Sequence, residues 1–321
     1  MTQPGPSAKL PGAAVLAGNA ASKQPLLAVS DVHKAYRTRR SFFASGAENR
    51  AIDGVSLSVH AGEILGLVGE SGCGKSTFAK VLLGLEQADA GTMQFDGQPI
   101  FAPAMTPIPS NRRGIQMVFQ DPFGSLNPRK PVGDIIAEGL RIRGGVSRKT
   151  IAAEVVRQLA LVGLSSEAMG KYPHQFSGGQ RQRICIARAI IMQPKLLIAD
   201  EAVSALDVSV QMQILNLLLD LRDQLGLTIM FISHDIGVIE YLCDRICVMY
   251  QGRIVEQGTT ADVIDAAQHP YTAHLIAARP RIAAITGPSA GPAVAQSAGT
   301  AHNDPALTPA GVRDALGESR P

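Results

Sequence analysis

Four short apolar runs punctuate the middle of the chain: Ile64–Val68, Gln116–Phe119, Lys195–Ala199 and Thr228–Ser233. None alternates cleanly between apolar and polar positions, the pattern of strands covered on both faces in a parallel sheet. Stretches with helical periodicity follow, at Ser76–Leu85, Ser177–Met192 and Val210–Leu225. Strands alternating with helices predict an α/β fold. The segment Pro131–Lys171 differs. Ser147 reads as an N-cap, and Ile151, Val155, Leu159 and Val162 recur at helical spacing, which predicts a small helical insert between two parts of the core.

The ends break this pattern. Residues 1–24, rich in Ala, Gly, Pro and Ser, read as a flexible leader, and residues 281–321 as a disordered Ala/Pro/Gly-rich tail. The expected globular unit is 25–280, without tandem repeats. A chain of 321 residues allows two domains at most. Hydrophobic residues make up 45%, enough for a large core, and the net charge of +3 is too small to imply a nucleic-acid partner. Aromatics are only 4%, which argues against a base-stacking module for single strands. No run approaches the ~18 apolar residues of a membrane span, and Pro11 and Gly12 interrupt the apolar start, against a secretory signal. Four cysteines (Cys73, Cys185, Cys243, Cys247) do not make a disulfide framework, and reduced thiols in a cytosolic setting are expected.

The strongest local feature is Gly69-Glu70-Ser71-Gly72-Cys73-Gly74-Lys75-Ser76-Thr77, a full G-x-x-x-x-G-K-[ST] match placed between a predicted strand and a predicted helix. Its glycines let backbone N–H groups curl inward toward phosphate oxygens, and the helix N-terminus adds partial positive charge. Lys75 is suited to neutralising β/γ-phosphates and the Ser76 hydroxyl to ligating Mg²⁺. By itself the loop leaves kinases, GTPases, helicases and transporters open. The strand Lys195-Leu-Leu-Ile-Ala-Asp200-Glu201 narrows the chemistry. Asp200 at its end can hold Mg²⁺, and Glu201 faces the space of an attacking water, which favours hydrolysis over transfer to another acceptor.

With Phe176-Ser177-Gly178-Gly179-Gln180, whose serine lies 23 residues before Asp200, the chain resembles the nucleotide-binding subunit of an ATP-binding cassette (ABC) transporter over roughly Leu26 to Pro280. The resemblance implies a P-loop ABC ATPase core with a mostly parallel sheet, an N-terminal antiparallel β part and a small helical subdomain at about 121–190. It implies that Ser177, Gly178, Gly179, Gln180 and Asp207 reach the ATP of a partner subunit in a head-to-tail dimer. Gln120 then matches the loop glutamine that contacts Mg²⁺ and water, His234 the switch histidine at the γ-phosphate, and Tyr36 the aromatic that stacks on adenine.

Three further stretches resemble the dipeptide/oligopeptide importer ATPases: Gln120-Asp-Pro-Phe-Gly-Ser-Leu-Asn-Pro-Arg129, Ala199-Asp-Glu-Ala-Val-Ser-Ala-Leu-Asp-Val-Ser209, and Gln268-His-Pro-Tyr-Thr-Ala-His-Leu275 within a C-terminal segment at about 265–280. Nickel and glutathione uptake systems use related subunits, and a soluble, non-transport ABC ATPase is the alternative from another class. The latter is disfavoured because only 102 residues separate Lys75 from Ser177, without sustained heptads. Two departures stand out. Ala202 replaces the proline usual after the catalytic glutamate, and no cysteine follows Cys247, so the iron–sulfur segment of some relatives is absent. Cys243 and Cys247, spaced as on one helix face, read as inert thiols. The resemblance thus implies ATP and Mg²⁺, two transmembrane permeases, a second ATPase subunit (the same chain or another), an extracytoplasmic solute-binding protein, no nucleic acid, and a peripheral place on the cytoplasmic face of the membrane.

Overall fold

The computed structural model describes residues 24–37, 48–101 and 106–278. The expected leader (but for Gln24), the tail, and Arg279-Pro280 lie outside the described residues.

An antiparallel sheet of order β2-β1-β4-β5 is built from β1 (Leu27–Arg37), β2 (Glu48–Val59), β4 (Ala90–Phe95) and β5 (Gln98–Pro99). The second sheet has order β10-β9-β3-β8-β7-β6. Its members are β3 (Ile64–Val68), β6 (Ile115–Val118), β7 (Leu196–Asp200), β8 (Thr228–Ser233), β9 (Arg245–Tyr250) and β10 (Arg253–Thr259). All pairs are parallel except the β9–β10 hairpin at the edge.

The absence of alternation in the apolar runs has a direct cause. Leu65 and Leu67 of β3, Ile198 of β7 and Met230 and Ile232 of β8 enter one core, shared with Leu27, Val29 and Phe95 of the antiparallel sheet. Helix α1 (Lys75–Leu83) adds Phe78 and Leu82 to that core. Ile64, Val68, Ala199, Ile229 and Phe231 point the other way, into a second core filled by helices. Successive residues of a strand face opposite sides, so a sheet sandwiched between two cores needs apolar residues at every position. Fully burying a side chain such as Phe78 or Phe231 contributes about 1.5–3 kcal/mol.

Between β6 and β7 the chain is helical: α2 (Pro122–Ser125), α3 (Val132–Arg143), α4 (Arg148–Leu161) and α5 (Gly178–Ile190). Ser147 caps α4, its hydroxyl accepting the Thr150 N–H at 3.1 Å, and Ile151, Val155 and Leu159 are buried along it. The helices α6 (Val208–Leu225), α7 (Ile236–Leu242), α8 (Thr260–Asp265) and α9 (Pro270–Ala277) complete the described chain.

Several expectations shift. The strand expected to reach Phe119 ends at Val118, and Phe119 is exposed. Ser177 stands outside α5 as its cap rather than inside it. Cys243 and Cys247 do not share a helix face. Cys243 follows the last residue of α7 and Cys247 lies within β9, both buried. Burial pushes the Cys247 thiol up to about 12 and that of Cys243 higher still, so both are neutral and inert.

Candidate functional site

Parallel pairing brings the sequence motifs to one edge. Val68 of β3 is in register with Ser233 of β8, Ile232 of β8 with Asp200 of β7, and Ala199 of β7 with Val118 of β6. The residues just past these strand ends are the phosphate loop, His234, Glu201 and Gln120. Ligand sites of open α/β sheets form at this carboxyl edge.

The phosphate loop requires glycine at two places where backbone crowds it. A Cβ on Gly69 would lie 2.2 Å from the Met249 carbonyl oxygen, and one on Gly74, at φ +115°, 2.1 Å from that of Ala51. The Gly252 N–H donates to the Cys73 carbonyl at 2.9 Å, tying the loop to the β9–β10 turn. Lys75 is 4% exposed, and its ammonium donates to the carbonyl oxygens of Gly69 at 2.6 Å and Glu70 at 2.9 Å. A buried lysine satisfied by its own loop holds a positive charge at the loop's centre. Cys73, 3.7 Å from the ammonium, is a neutral thiol because burial raises its pKa.

Glu201 is held on both carboxylate oxygens. Gln120 Nε2 donates to Oε2 at 2.7 Å, and His234 Nδ1 lies 3.2 Å from Oε1. Its backbone has φ +45°, a left-handed conformation costly for a non-glycine residue, and its N–H is anchored to the Ile232 carbonyl at 2.9 Å. Asp200 is 6% exposed, with Ser76 Oγ 3.4 Å from Oδ1. Burial raises the Asp200 pKa, partly opposed by the Ser76 hydroxyl.

A cavity of about 470 Å³ joins Tyr36, Ser71, Gly72, Cys73, Gly74, Lys75, Ser76, Thr77, Gln120 and Glu201. Gly69 and Glu70 lie behind the loop as acceptors for Lys75, Asp200 lies beside Ser76, and His234 joins through Glu201. The residues that spacing did not reveal are Asn49, Arg50 and Ala51 of β2, and Gln251 and Gly252 of the β9–β10 turn, which also line the cavity. Only the fold brings these segments to the loop. Tyr36 sits near the end of β1, opposite Asn49, with the Lys34 ammonium 5.3 Å from its ring centre.

Ser177, Gly178, Gly179, Gln180 and Asp207 do not line this cavity. Ser177 and Gln180 form a reciprocal capping box at the start of α5: the Ser177 hydroxyl accepts the Gln180 N–H at 3.3 Å, and Gln180 Oε1 accepts the Ser177 N–H at 3.0 Å. Both side chains are exposed. Gly179 is buried against α6, where a Cβ would lie 2.3 Å from Val210 Cγ1. Asp207 is the exposed N-cap residue of α6.

Comparison with known proteins accords with this geometry. The ABC transporter family matches residues 52–204. The dipeptide transport ATP-binding protein DppF of Escherichia coli (strain K12) is 46% identical over 260 residues, 81% of this chain and 78% of that protein. The oligopeptide transport ATP-binding protein OppF of Lactococcus lactis subsp. lactis is 46% identical over 258 residues, covering 80% of this chain and 81% of that one. Among solved structures, CbiO1 of Clostridium perfringens, part of the ABC transporter complex CbiONQ, has a TM-score of 0.65 at 28% identity, covering 76% of this chain and 92% of that one. The ATP-binding cassette MJ0796, a dimer bound to ADP and Pi after hydrolysis, has a TM-score of 0.63 at 26% identity, covering 73% and 98%. The chain therefore belongs to the ABC transporter family, among its ATP-hydrolysing, nucleotide-binding subunits.

Proposed function

We propose that this chain is the motor subunit of a peptide importer, binding ATP at residues 69–77 and hydrolysing it in a head-to-tail dimer. The observation that carries this reading is the Gln120–Glu201–His234 cluster beside the phosphate loop, a carboxylate oriented on both oxygens at the cavity wall. Glu201 is the general base for the attacking water. Gln120 and His234 hold it in place, and the second ring nitrogen of His234 is left for the γ-phosphate. The loop N–H groups and Lys75 bind the phosphates, and Tyr36 stacks on adenine. Ser177, Gly178, Gly179, Gln180 and Asp207 serve the ATP of the opposing subunit, a reading supported by their exposure or position at helix starts away from this chain's own cavity.

The donor set near Ser76 fits Mg²⁺: oxygen ligands from Ser76, Gln120 and Asp200, of which only Asp200 is a carboxylate, leaving the remaining positions to phosphate and water. A dication would also offset the unfavourable burial of the Asp200 charge. Bound there, Mg²⁺ neutralises charge on the β/γ-phosphate oxygens.

A groove beside Gln120, lined by Leu85, Phe119 and Ile142, supports docking of a permease, since Ile142 is 81% exposed and Leu85 64%. No helix of the described residues is long and apolar enough to cross a membrane. The importer reading places two permeases beside this chain, as the resemblance implies. A second ATPase subunit, an extracytoplasmic solute-binding protein and a position on the cytoplasmic face complete it. Peptide cargo is taken from the relatives' names. Co-purification of the tagged chain from native membranes tests this: two permeases, an ATPase partner and a peptide-binding protein are expected. Ribosomal or DNA-repair companions without a permease would sink the transport reading.

A further inference from the structure

The His-Pro-Tyr segment has no part in the chemistry above, yet it reaches the phosphate loop. His269 is the N-cap of α9, its Nδ1 accepting the Tyr271 N–H at 3.2 Å, and Pro270 opens the helix where a missing N–H costs little. Glu256 of β10 accepts the N–H groups of Gln268 at 2.7 Å and His269 at 3.1 Å. These bonds fix the start of α9 against β10 and aim the Tyr271 side chain. Tyr271 is 9% exposed, its ring centre lies 4.2 Å from that of Tyr250, and its hydroxyl oxygen accepts the Glu70 N–H at 2.8 Å.

That N–H belongs to the same peptide unit as the Gly69 carbonyl, which accepts from Lys75 Nζ at 2.6 Å. A trans peptide unit is planar, with N–H and C=O pointing opposite ways, so holding one end sets the direction of the other. Tyr271 grips one end of a rigid plate, and the Lys75 ammonium rests on the other.

We propose that Tyr271 is a positioning residue for the nucleotide: its hydroxyl fixes the Gly69–Glu70 peptide and, through it, the Lys75 ammonium that meets the triphosphate. The inference rests on the reading of residues 69–77 as the ATP site. It gives the His-Pro-Tyr segment a task, since a helix more than 190 residues along the chain braces the phosphate loop from behind. Burial raises the Tyr271 pKa above its ordinary value of 10.0, so the hydroxyl stays neutral as an acceptor.

The test compares Tyr271→Phe, which keeps the ring and its packing, with Tyr250→Phe, which removes the other hydroxyl of the same ring pair. The Tyr250 hydroxyl accepts from Gln251 Nε2 at 3.1 Å. Steady-state hydrolysis is measured on the assembled transporter, and amide hydrogen exchange on the full chain. Tyr271→Phe should raise KM for ATP about 3–10-fold with kcat within about twofold, as expected for one lost hydrogen bond. Exchange at the Glu70 amide should quicken, while Tyr250→Phe stays close to wild type in both readouts. An unchanged KM in Tyr271→Phe, an equal rise in Tyr250→Phe, or a fall in kcat at constant KM would overturn the inference. A wild-type chain that binds no ATP would overturn the site reading and the inference with it, a result distinct from a Tyr271→Phe variant that behaves as wild type.

Discussion

Gln120 donates its side-chain amide to Glu201 at 2.7 Å, joining the end of β6 to the end of β7 across a gap of 81 residues in sequence. His234 holds the other oxygen of the same carboxylate, so three strand ends meet on one side chain. The left-handed backbone of Glu201 turns that side chain toward the cavity. In the proposed role of Glu201 as the base, this arrangement orients the carboxylate before substrate arrives, which lowers the entropic part of the barrier.

Replacing Glu201 by Gln preserves size and one acceptor oxygen for the Gln120 amide but removes the carboxylate proposed as the base. Hydrolysis should fall about 10²–10⁴-fold while ATP affinity stays within about threefold, accumulating a closed ATP-bound dimer. Single-turnover hydrolysis, together with size-exclusion chromatography in ATP, measures both effects. Turnover near wild type would remove Glu201 from the base role.

Lys75 supplies the buried cation of the loop. Lys75→Ala should weaken ATP binding at least about tenfold, because charge-assisted bonds to phosphate are lost and two loop carbonyls lose their donor. Equilibrium titration with ATP reads the change, and unaltered affinity would contradict the assigned role.

Ser177 lies outside the cavity of its own chain, which separates two predictions for one variant. Ser177→Arg should leave ATP affinity of the isolated chain within about twofold, yet suppress hydrolysis by the dimer more than about tenfold. Mixing it with Glu201→Gln chains should restore one competent site, since the composite site of Ser177 from one chain and Glu201 from the other is intact in a single arrangement. Equal loss of affinity in the isolated chain would refute the contact in trans.

The legibility of these features in sequence followed the range of the interactions. The phosphate loop is local: its glycines, lysine and serine act on one another within nine positions, so spacing carried the chemistry. β3, β7 and β8 were legible because burial on both faces leaves polar residues only at their ends, Asp200 in β7 and Thr228 and Ser233 in β8. The β9–β10 hairpin was not, since β10 is a sheet edge whose residues are largely half-buried or exposed. The Cys243–Cys247 spacing misled because a helix end and a strand meet between them. Tyr271 was visible only as part of a family segment, and its bond to Glu70 depends on β10 and α9 folding back onto the loop.

Gly179 was marked as part of the helix-start motif, but its lack of a side chain also serves packing. Gly179→Ala should push α5 from α6 through Val210, lowering stability by about 1–3 kcal/mol. Val210→Ala in the same chain removes the obstructing methyl groups and should recover part of the loss. Denaturant unfolding of the two single variants and the double variant measures the coupling, and strict additivity would show that the two side chains do not collide.

Asp200 carries a cost that its proposed role as a Mg²⁺ ligand would explain. Burial raises its pKa above the ordinary 3.8, so the folded chain holds this proton more tightly than the unfolded chain. The stability contributed by the protonated form is complete below that ordinary value and is lost as pH rises through the folded one. Near neutral pH the ionised, buried carboxylate therefore opposes folding, and a permanently neutral amide does not. Asp200→Asn should raise the melting temperature of the nucleotide-free chain by about 1–3 °C near pH 7, with the difference shrinking as pH falls toward the ordinary carboxylate value of 3.8. The same variant should lose at least about 100-fold in hydrolysis, and Mg²⁺ with ATP should stabilise it less than wild type. Melting curves at neutral and acid pH, with and without Mg²⁺ and ATP, separate these effects. A variant that melts below wild type at neutral pH would mean that the Ser76 hydrogen bond to Asp200 outweighs the burial of its charge.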